Sequence, residues 1–452
     1  MNSLRRIPLV LILAAVLIAT GALSSFAKRS NPSTLPGGLA LTSSAESTAL
    51  YCSGLSSASA GSPGRVTFTN TTSAAHLINI NVVSDRGTTL ARATNLAPYT
   101  SISIDPSAGQ RGNYFGVGAQ VSGGGVVAVE ATSDNASETP CISTGVTNWY
   151  AAGFDTTVGS HAELSIYNPT ATPAVFNVDA YTSTGEVAPA KYQGIAVGAH
   201  GQADIDLGTQ VVDTTNVGVH VKVLRGALDI VGVQKSGSVV SLVSGVTSDE
   251  THAQFPSVTT AQNATAQVRL FNPGSRPANV SFAIDLAPYK VPAQSVTVAP
   301  NSSALATITP NSAIPAAGYA VVTMRSNQSV VASLATGTGT TFALSSPESP
   351  QSEFLVSDFT GRGFDSATAT NTSATSVSLT FTTLSATSAP VRHPSVRLAG
   401  NATVSLRTME PTLRTLQHIT VLVMSSRPTL LVTLTLPTRP AGTSVVEPLD
   451  GR

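Results

Sequence analysis

Charge is scarce in this chain of 452 residues. Asp, Glu, Lys and Arg together make up 11%, less than half the usual share of about 25%. The 24 basic residues balance the 24 acidic ones, so no overall field favours nucleic acid, and no nucleic-acid partner is expected. Aromatics are 5% with a single Trp, leaving few rings for a sugar-stacking platform once a core is filled. The seven histidines show neither HxxxH nor HxH spacing, which excludes a zinc site readable from sequence. No GxSxG elbow, P-loop or dinucleotide fingerprint occurs, and the glycines of "GNYFGVGAQVSGGG" best serve a hairpin turn. No catalytic residue, metal ligand or cofactor is therefore expected. Amphipathic helical periodicity is missing as well after residue 28.

What fills the space is Ser, Thr, Gly and Asn, a polar surface of hydroxyls and amides. The N-terminus stands apart: Arg5 and Arg6 precede an uncharged stretch from Ile7 to Ala27, followed by Lys28 and Arg29. Such a stretch is long enough to span about 30 Å of hydrocarbon as a helix. Ser25 and Ala27 also put small residues where a signal peptidase reads. A cleaved signal and a retained anchor both fit, and either sends the remainder outside the cytoplasm. There the only two cysteines, Cys52 and Cys141, are expected to form a disulfide. In the chain-entropy model a loop of that length is worth up to about 4.6 kcal/mol.

One short pattern recurs. "VTFTNTTSAAHLINI", "LSIYNPTATPAVFNV", "VRLFNPGSRPANVSF" and "ATATNTSATSVSLTF" align on Asn70, Asn168, Asn272 and Asn371, at intervals of 98, 104 and 99 residues. Each copy opens 17 to 19 residues earlier on an aromatic, Tyr51, Trp149, Phe255 or Phe354, expected in a core. Each carries a later small-residue turn ("LAPYTSISID", "VGAHGQADIDL", "VAPNSSALATI", "LAGNATVSLRT") and closes on an expected hairpin such as "VGAQVSGGGVVAVEA". Alternation of the kind shown by Val217, Val219, Val221 and Val223 against Gly218, His220 and Lys222 marks half-buried strands. The asparagines are expected as structural turn residues: the side chain can bond backbone two residues on, and Pro169 or Pro273 removes a ladder donor.

The fold class expected is all-β, with about four tandem immunoglobulin-like β-sandwiches after an N-terminal signal or anchor helix. The segments are a signal or anchor over 1–28, a spacer over 29–48, and sandwiches over 49–147, 148–250, 251–349 and 350–452, forming a membrane-tethered rod.

Three features could carry chemistry. Residues 149–250 hold ten acidic against four basic residues, including Asp204 and Asp206 on one strand face. Such a pair could bind calcium or act on a glycan, though a charged solvent face that blocks edge pairing is the ordinary reading. The fourth copy is rich in arginine, with Arg392, Arg397, Arg407, Arg414 and Arg427 beside His393 and His418. An anionic polymer could bind there, but spacing over several strands assembles no cluster by itself. Trp149, at the opening aromatic position, reads as core.

The hydrophobic N-terminus, the early Cys52, Pro140-Cys141 running into "TNWYAAGF", and the strand ends "YNP" and "FNP" resemble a domain-of-unknown-function family of actinobacterial envelope proteins. Cys52, Pro140, Cys141, Trp149, Gly153, Asn168 and Pro169 carry the resemblance, which covers roughly residues 50 to 340. It implies an anchored or secreted protein often encoded beside a membrane glycosyltransferase, and no catalytic residues. The function expected is a non-enzymatic extracytoplasmic scaffold or interaction protein of the cell envelope. The alternative is a polysaccharide-binding module working with that glycosyltransferase. Partners expected are the membrane, through an uncleaved N-terminal helix, and an envelope protein or polysaccharide.

Overall fold

The computed structural model describes residues 47–57, 64–87, 89–132, 137–260, 264–286, 289–308, 311, 314–316, 319–338, 341–347, 350, 352–359, 367–385, 388–409, 419–435, 443–445 and 447–448. The expected signal or anchor (1–28) lies outside them, as does the spacer except for Ser47 and Thr48, which begin the first strand. Among the described residues no helix is long and apolar enough to cross a membrane.

Nearly all of the described chain with regular structure is strand. In the first unit one sheet runs in the order Ser47–Ser56, Tyr114–Ser122, His76–Ser84, Thr89–Leu96. The other runs Ser101–Ile104, Gly64–Asn70, Val126–Thr132, Glu138–Pro140. Alternation turns Ile78, Ile80 and Val82 of one sheet toward Val66, Phe68 and Ala128 of the other, which makes a sandwich around one core. Strand order repeats in the units built from Asn148–Val243, Glu250–Ser345 and Glu353–Pro448. An immunoglobulin sandwich sets its first strand beside the second and its seventh beside the sixth. Here the first strand lies beside the sixth and the seventh beside the second, so the two outer strands are exchanged.

The closing segments are not hairpins. Tyr114–Ser122 and Val126–Thr132 belong to opposite sheets, as do Val217–Arg225 and Asp229–Ser236, so the turn between them arches over the core. Val117, Val121, Val126 and Ala128 all reach one core from its two sides, which pairing within one sheet would prevent. In the third unit the arch is drawn out into a single strand, Tyr319–Thr338. Its first half pairs with Ala278–Leu286 and its second half with Thr265–Asn272.

The units are not independent beads. The core around Trp149, Phe176 and Val219 takes in Phe342 and Leu344 from the third unit. The fourth unit packs back on the first through Val127, Leu384, Tyr99 and Leu422. The expected rod is thereby replaced by a compact arrangement, because sheet faces left apolar outside each sandwich bury against one another.

Candidate binding cleft

Cys52 and Cys141 form a disulfide across 89 residues, and both are buried in the first core. The four asparagines are fully buried, and each plays the same part. Asn168 Oδ1 accepts the Thr170 N–H at 3.0 Å, while its Nδ2 donates to the carbonyls of Thr172 and Gly198, each at 2.8 Å. Asn70, Asn272 and Asn371 repeat this with Thr72, Gly274 and Ser373 as donors and with Ala97, Ala299 and Ala399 across the gap. The Asn therefore bolts its own turn to the later small-residue turn, and no donor is left for a ligand.

Trp149, Phe255 and Phe354 are buried in cores. Trp149 and Phe354 hold equivalent ladder places opposite Val221 and Val423, whereas Phe255 lies two residues further on, opposite Val322. Tyr51 is not core. Alternation in its strand sends Leu50 and Cys52 inward and Tyr51 outward, where its ring centroid lies 6.2 Å from that of Tyr167 in the second unit.

Tyr167 and its counterpart Phe271 immediately precede a motif Asn, and they build the joints. The strand Tyr114–Ser122 lays Gly116 against the Tyr167 ring, and Val217–Arg225 lays Gly218 against Phe271. A Cβ at either glycine would overlap the ring. Phe271 also stacks on Tyr181, centroids 4.8 Å apart. The same joint between first and second units buries Glu130 and Asp229 completely. Glu130 Oε2 accepts the Gly54 N–H at 2.9 Å, but Oε1 and Asp229 Oδ2 find no partner. Burial, and then the Asp229 charge, push the Glu130 carboxyl well up; burial likewise raises Asp229 to about 8.

Asp204 and Asp206 sit on the strand Gln202–Asp206, paired with Ser160–Tyr167, so that Asp206 faces Glu163 across the ladder. His161 bridges them, 3.2 Å from Glu163 Oε2 and 4.0 Å from Asp206 Oδ1. Its hydrogen bond to Glu163 raises the imidazole pKa. Partial desolvation and the charges of Glu163, Asp85 and Asp206 bring Asp204 up to about 6. This edge is more acidic than the two aspartates alone implied, and the cross-strand Glu163 is what the sequence reading missed. Among the described residues no three such side chains are arranged to hold a metal ion. In the fourth unit Arg397 Nε donates to Ser376 Oγ and Arg427 Nη1 to Thr375 Oγ1, each at 2.8 Å, so these two meet at one turn. Arg414 and His418 lie outside the described residues, and Arg392 is on a separate strand.

A cleft of about 490 Å³ opens between the second and third units. Its walls carry Asp155, Asn216, Gln267, Arg269 and Phe342 among hydroxyl residues, with Val158 and Leu305 also lining it. The Arg269 guanidinium lies 4.0 Å above the Phe342 ring, and its Nη1 donates to the Gly153 carbonyl at 2.7 Å. Burial lowers its pKa to about 10, which still leaves it a cation. Arg269 stands three residues before Asn272, where the other copies have Thr67, Ser165 and Thr368. A charge at a position otherwise held by hydroxyls is the signal that could have found it.

A family model matches residues 125–410, more than half of the chain, a range that takes in Cys141, Trp149, Asn168, Asn272 and Asn371. The chain belongs to the family of unknown function DUF5719. The DUF5719 match begins within the first unit and runs into the fourth, further along the chain than the 50 to 340 of the resemblance. No curated protein matches the chain. Solved structures with some likeness include a GH78 family rhamnosidase of Bacillus sp. GL1, at 8% identity and TM-score 0.16, covering 74% of this chain and 57% of that one. The tetra-tandem repeat in the extending region of a large adhesion protein gives 11% identity and TM-score 0.10, covering 90% and 100%. An α-L-rhamnosidase of Streptomyces avermitilis complexed with L-rhamnose gives 10% and 0.13, covering 74% and 48%. The DUF5719 chain thus spans just over half the length of the first of these, and TM-scores this low carry no argument about its fold or activity.

Proposed function

We propose that this protein is a non-enzymatic, extracytoplasmic scaffold of the cell envelope. In this reading it is built from four immunoglobulin-like sandwiches, over 49–147, 148–250, 251–349 and 350–452, with their outer strands exchanged. The observation that carries it is the construction of the joints. Tyr167 and Phe271 seat on Gly116 and Gly218, and Phe342 and Leu344 enter the neighbouring core. Buried joints of this kind hold units in fixed orientation, as a scaffold requires and loosely linked binding modules do not. Export is supported by the hydrophobic stretch Ile7 to Ala27 and by the disulfide. Actinobacterial origin and a neighbouring glycosyltransferase belong to the same proposal, resting on the resemblance alone.

A second reading, an envelope polysaccharide-binding protein, is favoured by the cleft of about 490 Å³ with its Arg and hydroxyl walls. Cross-linking the exported full chain to native envelope, followed by mass spectrometry of captured protein and glycan, separates the two. Reproducible capture of one membrane enzyme supports the scaffold, and capture of one glycan without protein supports the second reading. Turnover of envelope glycan by the purified chain would overturn both.

A further inference from the structure

Arg269 is 6% exposed, yet among the described residues no carboxylate lies within ion-pair distance of it. Its donors are only partly used. Nη1 is taken by Gly153, Nη2 has only a 3.5 Å contact with Gln267 Oε1, and Nε has no partner. A buried cation short of acceptors is costly unless something completes it. Across the cleft Asn216, 5% exposed, donates Nδ2 to the Ala304 carbonyl while its Oδ1 goes unpartnered. Two apolar side chains stand at the rim among polar ones: Val158 is 98% exposed and Leu305 41%. The cleft thus offers a guanidinium, an unused acceptor, hydroxyls and two bare hydrocarbon surfaces.

We propose that this cleft is a subsite for an acidic saccharide, whose carboxylate pairs with the Arg269 guanidinium while Asn216 accepts from a sugar hydroxyl and Val158 and Leu305 contact the C–H face of the ring. A planar carboxylate matches the guanidinium fork. A phosphate dianion does not fit as well, because no second Lys or Arg lines the cleft and Asp155 stands in its wall. A neutral saccharide would leave the cation as it is. The volume lies in the range of small-ligand sites, so a short stretch of polymer rather than a long run of it is bound. This inference rests on the second reading above and names its site and ligand class.

The test is titration of the full chain with oligogalacturonate and with the neutral galactose oligomer at one ionic strength, by isothermal calorimetry. Saturable binding of the acidic oligomer, about tenfold or more tighter than the neutral one, is expected. R269Q should abolish that preference. Because Arg269 is buried and R269Q can misfold, L305E at the exposed rim decides. It should keep the wild-type melting temperature and bind the acidic oligomer about tenfold more weakly. Equal affinity for both oligomers overturns the proposal. Acidic binding unchanged in folded L305E overturns the site while leaving the polysaccharide reading standing, and absence of any saccharide binding overturns both.

Discussion

At the scale of single residues the repeated Asn explains most of the repetition. Its side chain satisfies one backbone N–H and carbonyls from two loops, all in a buried place where unpaired groups are costly. Asn168→Ala should destabilise the chain by about 3 kcal/mol in urea unfolding, since it orphans one donor and at least two acceptors. Asn168→Asp keeps the acceptor but sets a second carboxylate oxygen against the Thr172 and Gly198 carbonyls in a fully buried place, so it should cost at least as much as the alanine. The partner loop shows a second regularity. Tyr99, His200, Asn301 and Asn401 all have φ near +50° and all donate their N–H to the carbonyl two residues after the motif Asn. Asn tolerates that left-handed conformation better than Tyr or His does. His200→Asn should therefore raise the melting temperature, by a stabilisation on the order of 0.5–1 kcal/mol. The Asx half of this device was legible, because Asn followed by Pro or Thr in a strand-ending context names a turn. The bolt to a loop about 30 residues later was not, because local sequence does not say which carbonyls a side-chain amide will meet.

At the scale of elements, period-2 alternation read the strands well and their partners poorly. Val217, Val219 and Val221 do face a core as expected, yet Gly218 on the other face is buried too, beneath Phe271 of the next unit. Alternation marks which side chains share a face, and it does not say whether the second face meets water or a neighbouring sheet. The same limit turned the closing arches into hairpins, since a short Gly-rich turn serves either connection, and it put Tyr51 in a core from which its strand points it away. Gly218 makes a direct test. Gly218→Val should force Phe271 out of its seat and cost about 1–3 kcal/mol, comparable to overpacking a core. A double-mutant cycle with Phe271→Ala should show coupling of about 1 kcal/mol or more. Independent effects would mean that the glycine and the ring do not form the joint.

For the whole molecule, what matters is how the sandwiches are held together. Glu130 and Asp229 meet inside the first joint with no cation beside them among the described residues. Nothing local to "VAVEA" or "ALDIV" marks them, because the two carboxylates stand about 100 residues apart in the chain. Both carboxyls are raised, Asp229 to about 8, so the folded chain keeps protons that the unfolded chain releases near pH 4. A state that binds more protons loses stability as pH rises. The Asp229 contribution is fully present below about pH 4, declines through the range between, and is gone above about pH 8, with a slope of up to about 1.4 kcal/mol per pH unit for each proton retained, and Glu130 acts in the same direction. Urea unfolding at a series of pH values should show this decline, and Asp229→Asn should flatten it by removing one titrating group without changing the shape of the side chain. A wild-type stability that climbs from pH 4 to pH 8 would mean that the pair is ionised in the fold and that some bound cation holds it.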